Sequence, residues 1–166
     1  MSLYQIFNGP APTTAAQAVV TTGTAIKTLL QLKGFNRFRV VEWGISFDGS
    51  AAATPIKCEL LTTGTVNATV TAHVDAGCVK FGSGEQAAAS VAGLTLATSG
   101  TGYTSSAEGT ITTSRVFDAQ LVAPTAQYLK QFPLGREPVV PIGEILRIRV
   151  TAGAAVNAYC YITIEI

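Results

Sequence analysis

Residues Glu144 to Ile166 read EILRIRVTAGAAVNAYCYITIEI, and every second residue in both halves of this stretch is apolar. A period of two is that of a β-strand with one face against a core and the other in solvent. We therefore predict two half-buried strands joined by a turn. The apolar set of the second strand, which we expect to face the core, is Val156, Ala158, Cys160, Ile162, Ile164 and Ile166.

The same alternation recurs through most of the chain, at 25–32, 37–48, 56–62, 68–74, 110–122 and 127–133. Within 37–48, the residues Val41, Trp43, Ile45 and Phe47 share one face, so we place Trp43 in the core. Helical candidates are limited to the short Ala-rich pieces 14–20 and 85–92. About eight strands without helices to cover a parallel sheet predict an all-β, antiparallel sandwich or barrel.

Length and composition favour a single folded unit. A chain of 166 residues buries roughly 70% of its extended surface, which is enough for one good core. We predict one β-domain over 13–166, preceded by a separate segment 1–12 and interrupted by a Gly/Ser/Thr/Ala-rich loop region at 82–109. Charged residues make up 13% of the chain, about half the usual share.

The first residues contain an apolar group, Leu3, Tyr4, Ile6 and Phe7, followed by the break Asn8-Gly9-Pro10-Ala11-Pro12. Two interpretations stay open. The segment is either the first strand of the domain or an extended arm. In the second case Tyr4, Ile6 and Phe7 are candidate contacts with another subunit.

Charge and hydropathy argue against two classes of partner. The formal net charge is +1 and no run of like charge occurs, so we expect no nucleic-acid binding. The segment MSLYQIFNGPAPTTAAQ lacks the basic and apolar regions of a signal peptide, and no apolar stretch is long enough for a membrane helix. Arg37, Arg39, Arg147 and Arg149 could align as a small basic patch, but we favour solvated outward faces for them.

Residue types that carry chemistry are few. Cys58, Cys78 and Cys160 lack CxxC spacing, and the strand patterns predict that Cys58 and Cys160 are buried free thiols. His73 alternates with Val70, Ala72 and Val74, which predicts a solvated surface histidine. We predict no catalytic residue, no metal site and no cofactor, and therefore no enzyme.

Three features of the chain carry a resemblance to a known family. They are the MSLYQIFNGPAP opening, the Thr/Ala/Gly-rich middle from Gly82 to Gly109, and the closing stretches PVVPIGEILRIRVTAG and AYCYITIEI. In these features the chain resembles the head decoration (cement) proteins of tailed bacteriophages. This resemblance implies a β-sandwich of jelly-roll type, made in the host cytoplasm and located on the capsid exterior of the virion. It also implies a homo-oligomer, commonly a trimer, that binds the major capsid protein and stabilises the head lattice, without catalytic residues.

A second interpretation is a carbohydrate- or receptor-binding β-sandwich, such as a tail or fibre-associated module. In that case the Gly/Ser/Thr-rich loop from Gly100 to Ser106 would form the site, with Tyr103 as its contact residue.

Overall fold

The computed structural model describes residues 2–49, 54–82 and 93–166. In these ranges the chain forms β-strands and one 3-10 turn, Asp75–Gly77, and no α-helix. The prediction of an all-β protein is therefore confirmed. Of the two helical candidates, 14–20 is not helical, and 85–92 lies outside the described residues.

The strands form two antiparallel sheets. The strands are β1 (Leu3–Phe7), β2 (Val20–Thr21), β3 (Ile26–Lys33), β4 (Phe38–Phe47), β5 (Ile56–Thr62), β6 (Thr69–Ala72), β7 (Cys78–Lys80), β8 (Gly102–Ala107), β9 (Arg115–Val122), β10 (Gln127–Gln131), β11 (Val139–Val140), β12 (Ile145–Thr151) and β13 (Asn157–Glu165). The first sheet has the order β10-β4-β13-β1-β7, with β11 beside β4 and β2 beside β13; the second has the order β6-β8-β3-β12-β5-β9.

Eight of these strands pair in a nested way. Strand β1 pairs with β13, β3 with β12, β4 with β10, and β5 with β9, so that early strands meet late ones. The other strands are short additions of two to six residues. The prediction of about eight strands is therefore too low for the described part of the chain, because β2, β7, β8 and β11 lie outside the alternating segments, whereas β6 lies within the predicted strand 68–74.

Buried apolar side chains from both sheets form one core cluster. In β13 the predicted inward face is confirmed from Ala158 to Ile164, and Trp43 is fully buried as predicted. In β4, however, Val40 and not Val41 joins the core. The partners of Thr163 and Ile164 are Glu42 and Val40, so Val41 is an extra residue in a β-bulge that reverses the alternation.

The segment 3–7 is a strand inside the first sheet. Strand β1 pairs on one side with β13, in the register Tyr4 to Ile164, and on the other side with β7. Tyr4 and Ile6 are fully buried by their own chain, and Phe7 is half-buried. The segment is therefore the first strand of the domain and not an extended arm. Tyr4 and Ile6 are not available as contacts with another subunit.

Val66 and Glu108, which both lie between β5 and β9 in the chain, cover part of the outer face of the second sheet. Arg147 alternates with the core residues Leu146 and Ile148 and so points away from the core, yet it is fully buried. Its guanidinium donates to the carboxylate of Glu108 at 3.1 Å and to the carbonyl of Val66. The prediction of a solvated Arg147 is wrong, because the outer face that it occupies is covered by these two residues.

The other three arginines do not complete a patch with Arg147. Arg37 and Arg39 are exposed near the start of β4 in the first sheet, whereas Arg149 lies in β12 of the second. Arg149 donates two hydrogen bonds to Oε2 of Glu59, at 3.0 and 2.9 Å. Its guanidinium is therefore occupied within the chain.

Candidate interaction surfaces

Two turns at one end of the sheets expose large apolar side chains. Phe35, in the turn between β3 and β4, is 66% exposed, and Ile142, in the turn between β11 and β12, is 69% exposed. The N–H of Gly143 donates to the carbonyl of Gly34 at 3.2 Å, which holds the two turns side by side. We call Phe35, Val139 and Ile142 the turn surface.

Local geometry accounts for the exposure of Ile142. The adjoining Gly143 has φ of +78°, a conformation that favours glycine and reverses the chain at this point. Ile142 therefore lies at the tip of a tight turn, where its side chain does not pack against the core. Exposed apolar side chains in such positions mark contacts with other molecules when they occur together.

Charged side chains lie next to the residues of the turn surface, along the chain or across a strand pair. Arg37 and Arg39 are exposed beside Phe35, and Val139 pairs with Arg39 between β11 and β4. Arg115 contacts Glu144 at 3.5 Å next to the second turn. An apolar centre with a charged rim is the usual composition of a protein–protein interface.

A second surface lies on the outer face of the first sheet, where three aromatic rings meet. The ring centroid of Phe7 lies 5.6 Å from that of Tyr159 and 5.8 Å from that of Tyr161, each pair tilted by 49°. These rings border a groove of about 190 Å³. We call it the aromatic groove; the residues that line it are Phe7, Gly44, Ile45, Ser46, Gln127, Tyr128, Leu129, Tyr159 and Tyr161.

Both tyrosine hydroxyls are fixed by hydrogen bonds. The hydroxyl of Tyr161 donates to Oε1 of Glu42, and that of Tyr159 donates to Oε1 of Gln17 at 3.0 Å. Burial and the hydrogen bond to Glu42 raise the pKa of Tyr161 well above its usual value, and burial raises the pKa of Tyr159. Both hydroxyls are protonated at neutral pH, and their hydrogen bonds to Gln17 and Glu42 hold the two rings in place.

The absence of a side chain at Gly44 makes room for Tyr161. A Cβ at residue 44 would lie 2.6 Å from Cε1 of Tyr161, closer than real contacts allow. Gly44 and Tyr161 are directly opposed between β4 and β13, so the ring lies across the backbone of the neighbouring strand. The groove therefore depends on glycine at this position.

Sequence reasoning did not identify Tyr159 and Tyr161 as a surface, although the signal was present. Both alternate with the core-facing Cys160, so the period of two already places them on the outer face. What the pattern does not show is that Phe7, about 150 residues earlier in the chain, joins them through the pairing of β1 with β13.

The predicted loop contact Tyr103 lies instead in strand β8, which pairs with β3 and β6. Its ring is half-buried, with its centroid 4.7 Å from that of His73. A Cβ at the neighbouring Gly102 would lie 2.3 Å from the carbonyl oxygen of Thr71, so small residues permit the close approach of β6 and β8. The loop prediction is wrong for the residues of β8. The small residues there permit the close approach of two strands and do not indicate a loop.

His73 is buried, with 1% of its surface exposed, and the prediction of a solvated histidine is wrong. Its strand ends at Ala72, so the alternation no longer holds at residue 73. Nε2 lies 2.8 Å from the carbonyl oxygen of Phe7, which assigns the proton to Nε2. Burial lowers the pKa of His73, despite this hydrogen bond.

The carboxylate of Glu59 forms ion pairs with two basic side chains, those of Lys57 and Arg149. Burial opposes ionisation of Glu59, but hydrogen bonds from Lys57 and Arg149 outweigh it and lower the pKa of this carboxyl. Across residues 2–49, 54–82 and 93–166, no three His, Cys, Asp or Glu side chains are grouped so as to hold a metal ion. In the same ranges, no helix has the length and apolar character needed to cross a membrane.

No protein-family model matches this chain, and comparison with known proteins and with solved structures finds no match.

Proposed function

We propose that this protein is a structural component of a phage virion, a capsid decoration or cement protein with a jelly-roll β-sandwich. The nested pairing of β1 with β13, β3 with β12, β4 with β10 and β5 with β9 supports the jelly roll. Rolling up one long antiparallel ribbon of eight strands produces this pairing and divides the strands between two sheets. Jelly rolls are frequent in viral capsid domains and in lectins.

The turn surface is the observation that carries the proposed role. Phe35 and Ile142 keep large apolar areas in water, on two turns tied by the Gly143–Gly34 hydrogen bond. Covering such area contributes about 25 cal/mol per Å², less the cost of ordering the partners. The partner that we propose for this surface is the major capsid protein of a phage head.

The proposed oligomer is a homotrimer on the capsid exterior. The trimer follows from the resemblance to head decoration proteins, and the low charge of the chain is compatible with extensive contact between copies. A composition with 13% charged residues leaves much of the surface to Thr, Ser, Ala and Gly. Such a surface has little electrostatic repulsion to oppose close packing of like subunits.

The test is co-sedimentation of the purified chain with phage head particles assembled without it. The parent chain should sediment with the particles, and the double variant Phe35→Ser/Ile142→Ser should bind at least tenfold more weakly. The control is Val74→Ser/Val79→Ser, which removes two other exposed valines. Undiminished binding by the turn-surface variant, or equal loss in the control, would contradict the proposed role of the turns.

A further inference from the structure

We propose that the aromatic groove binds one pyranose ring of a neutral saccharide. This site is separate from the turn surface and does not depend on the capsid role. The proposal rests on the shape of the groove, on its aromatic wall and on the uncharged polar groups at its margin.

The aromatic wall is suited to the apolar C–H face of a sugar ring. Tyr159 and Tyr161 leave the sheet side by side on the face opposite the core, and Phe7 lies against both. Phe7 is tilted by 49° to each tyrosine, and the three rings together line one side of the groove. Aromatic rings supply rigid contact area, and tyrosine adds a polar tip.

The strands β4 and β10 complete a site for a single ring. Gly44, over which the ring of Tyr161 lies, and Ser46 line the groove on β4. Gln127 and Leu129 of β10 line its far side, in register with Ser46 and Gly44. A volume of about 190 Å³ is below the 300–1,000 Å³ common for drug-sized ligands. It suits one six-membered ring whose neighbours in an oligosaccharide continue over the open sheet.

The polar groups at the margin suit hydroxyl groups. Gln127 is exposed and offers an amide that both donates and accepts, as sugar hydroxyls do. Ser46 has only a long hydrogen bond, 3.5 Å, to the carbonyl of Tyr159, so its hydroxyl can turn to a ligand. An apolar side chain of a protein partner would make no use of these groups.

The absence of charge among the residues that line the groove favours a neutral saccharide over an acidic one. The residues that line the groove are uncharged, and the carboxylate of Glu42 accepts a hydrogen bond from the lining residue Tyr161. No cation among the lining residues can pair with a carboxylate or sulfate. A neutral sugar therefore fits the site, whereas an acidic sugar would meet the field of Glu42 without compensation.

The experiment is NMR titration of the full chain with maltoheptaose, cellohexaose and N-acetylchitohexaose, and with trigalacturonic acid as the acidic probe. Tryptophan fluorescence is unsuitable, because Trp43 is buried on the other side of the sheet. We expect at least one neutral probe to shift the signals of Phe7, Tyr159 and Tyr161, and the acidic probe to leave them unchanged.

Variants separate binding from folding. Tyr159→Ala and Tyr161→Ala should each weaken binding about tenfold or more, which corresponds to ~1.4 kcal/mol. Leu129→Lys changes an exposed residue of the far wall, so it should fold normally and still block the groove. Tyr103→Ala, in the second sheet, is the control and should bind like the parent.

Several outcomes would overturn the proposal. They are the absence of shifts at the groove with every neutral probe at millimolar concentration, undiminished binding by Leu129→Lys, and equal binding of trigalacturonic acid. A further one is a response of the groove to N-acetyl-leucinamide but to no saccharide, which would identify it as a pocket for a protein side chain.

Discussion

The indole N–H of Trp43 donates a hydrogen bond to Oδ2 of Asp118 at 3.2 Å, and this bond joins the first sheet to the second. The same carboxylate accepts from the hydroxyl of Tyr128 at 2.8 Å and from Nζ of Lys130 at 3.3 Å. Tyr128 and Lys130 belong to β10, the edge strand of the first sheet. Asp118 lies in β9, an edge strand of the second sheet. Its hydrogen bonds to Trp43 and to β10 therefore connect the two sheets at this edge.

Replacing Asp118 by Ala should destabilise the protein by about 1–3 kcal/mol, because the buried N–H of Trp43 loses its acceptor. Urea unfolding followed by circular dichroism measures this effect. The control is Asp48→Ala, at an exposed aspartate, which should change stability by less than about 0.5 kcal/mol. Equal unfolding midpoints for the two variants would mean that Asp118 does not connect the sheets in solution.

Replacing Ile6 by Ala tests the position of the first strand. Ile6 is fully buried in β1, so the change should cost about 2–5 kcal/mol through lost burial and a cavity. Ile142→Ala is the matched control, since it removes the same atoms from an exposed turn and should have a small effect. Thermal melting compares the two, and an unchanged melting temperature for Ile6→Ala would indicate a detached arm.

The free energy of unfolding should decrease at acidic pH, because His73 is buried in its neutral form. Burial lowers the pKa of this side chain in the folded state, so the unfolded chain binds its proton first as pH falls below about 6.5. The contribution of His73 to stability is therefore present above pH 6.5 and is lost as pH falls toward its folded pKa. The chain has a single histidine, so no other imidazole titrates between pH 7.5 and 5.5.

The measurement is the free energy of unfolding at both pH values for the parent and for His73→Gln. We expect the parent to lose up to about 1 kcal/mol on acidification. The Gln variant keeps a donor for the carbonyl of Phe7 but does not titrate, so its loss should be smaller. The same pH dependence in both proteins would show that His73 is not the group responsible.

The three cysteines should be inert in the folded protein. Burial raises the pKa of Cys58 and of Cys78 to about 12, and raises that of Cys160 well above its usual value. Since the thiolate is the reactive form, a thiol reagent at pH 8 should label none of them until denaturant is added. Three thiols per chain should then react. Rapid labelling of the native protein would place at least one thiol at the surface.

The fold was predictable from sequence where one face of a strand meets the core. The alternation in β13 correctly identifies Cys160 and Ile162 as buried, and Trp43 is correctly assigned despite its size. The alternation fails at Val41, where a bulge adds one residue, and at His73, which follows the end of its strand. Both failures are local changes of register that a period of two cannot show.

The surfaces were less predictable, because they depend on distant parts of the chain. The pattern correctly places Arg147 on the outer face of β12. It does not show that Glu108 and Val66, which lie between β5 and β9 in the chain, cover the guanidinium of Arg147. In the same way, the aromatic groove requires Phe7 to meet Tyr161 through strand pairing. Sequence alternation assigns a residue to a face but does not show what lies over that face.

The most direct test of the proposed assembly role is the mass of the purified chain in solution, measured by sedimentation equilibrium over a range of micromolar concentrations. We expect a particle of about three times the 17.2 kDa of one chain. A mass of one chain at every concentration would contradict the proposed homotrimer.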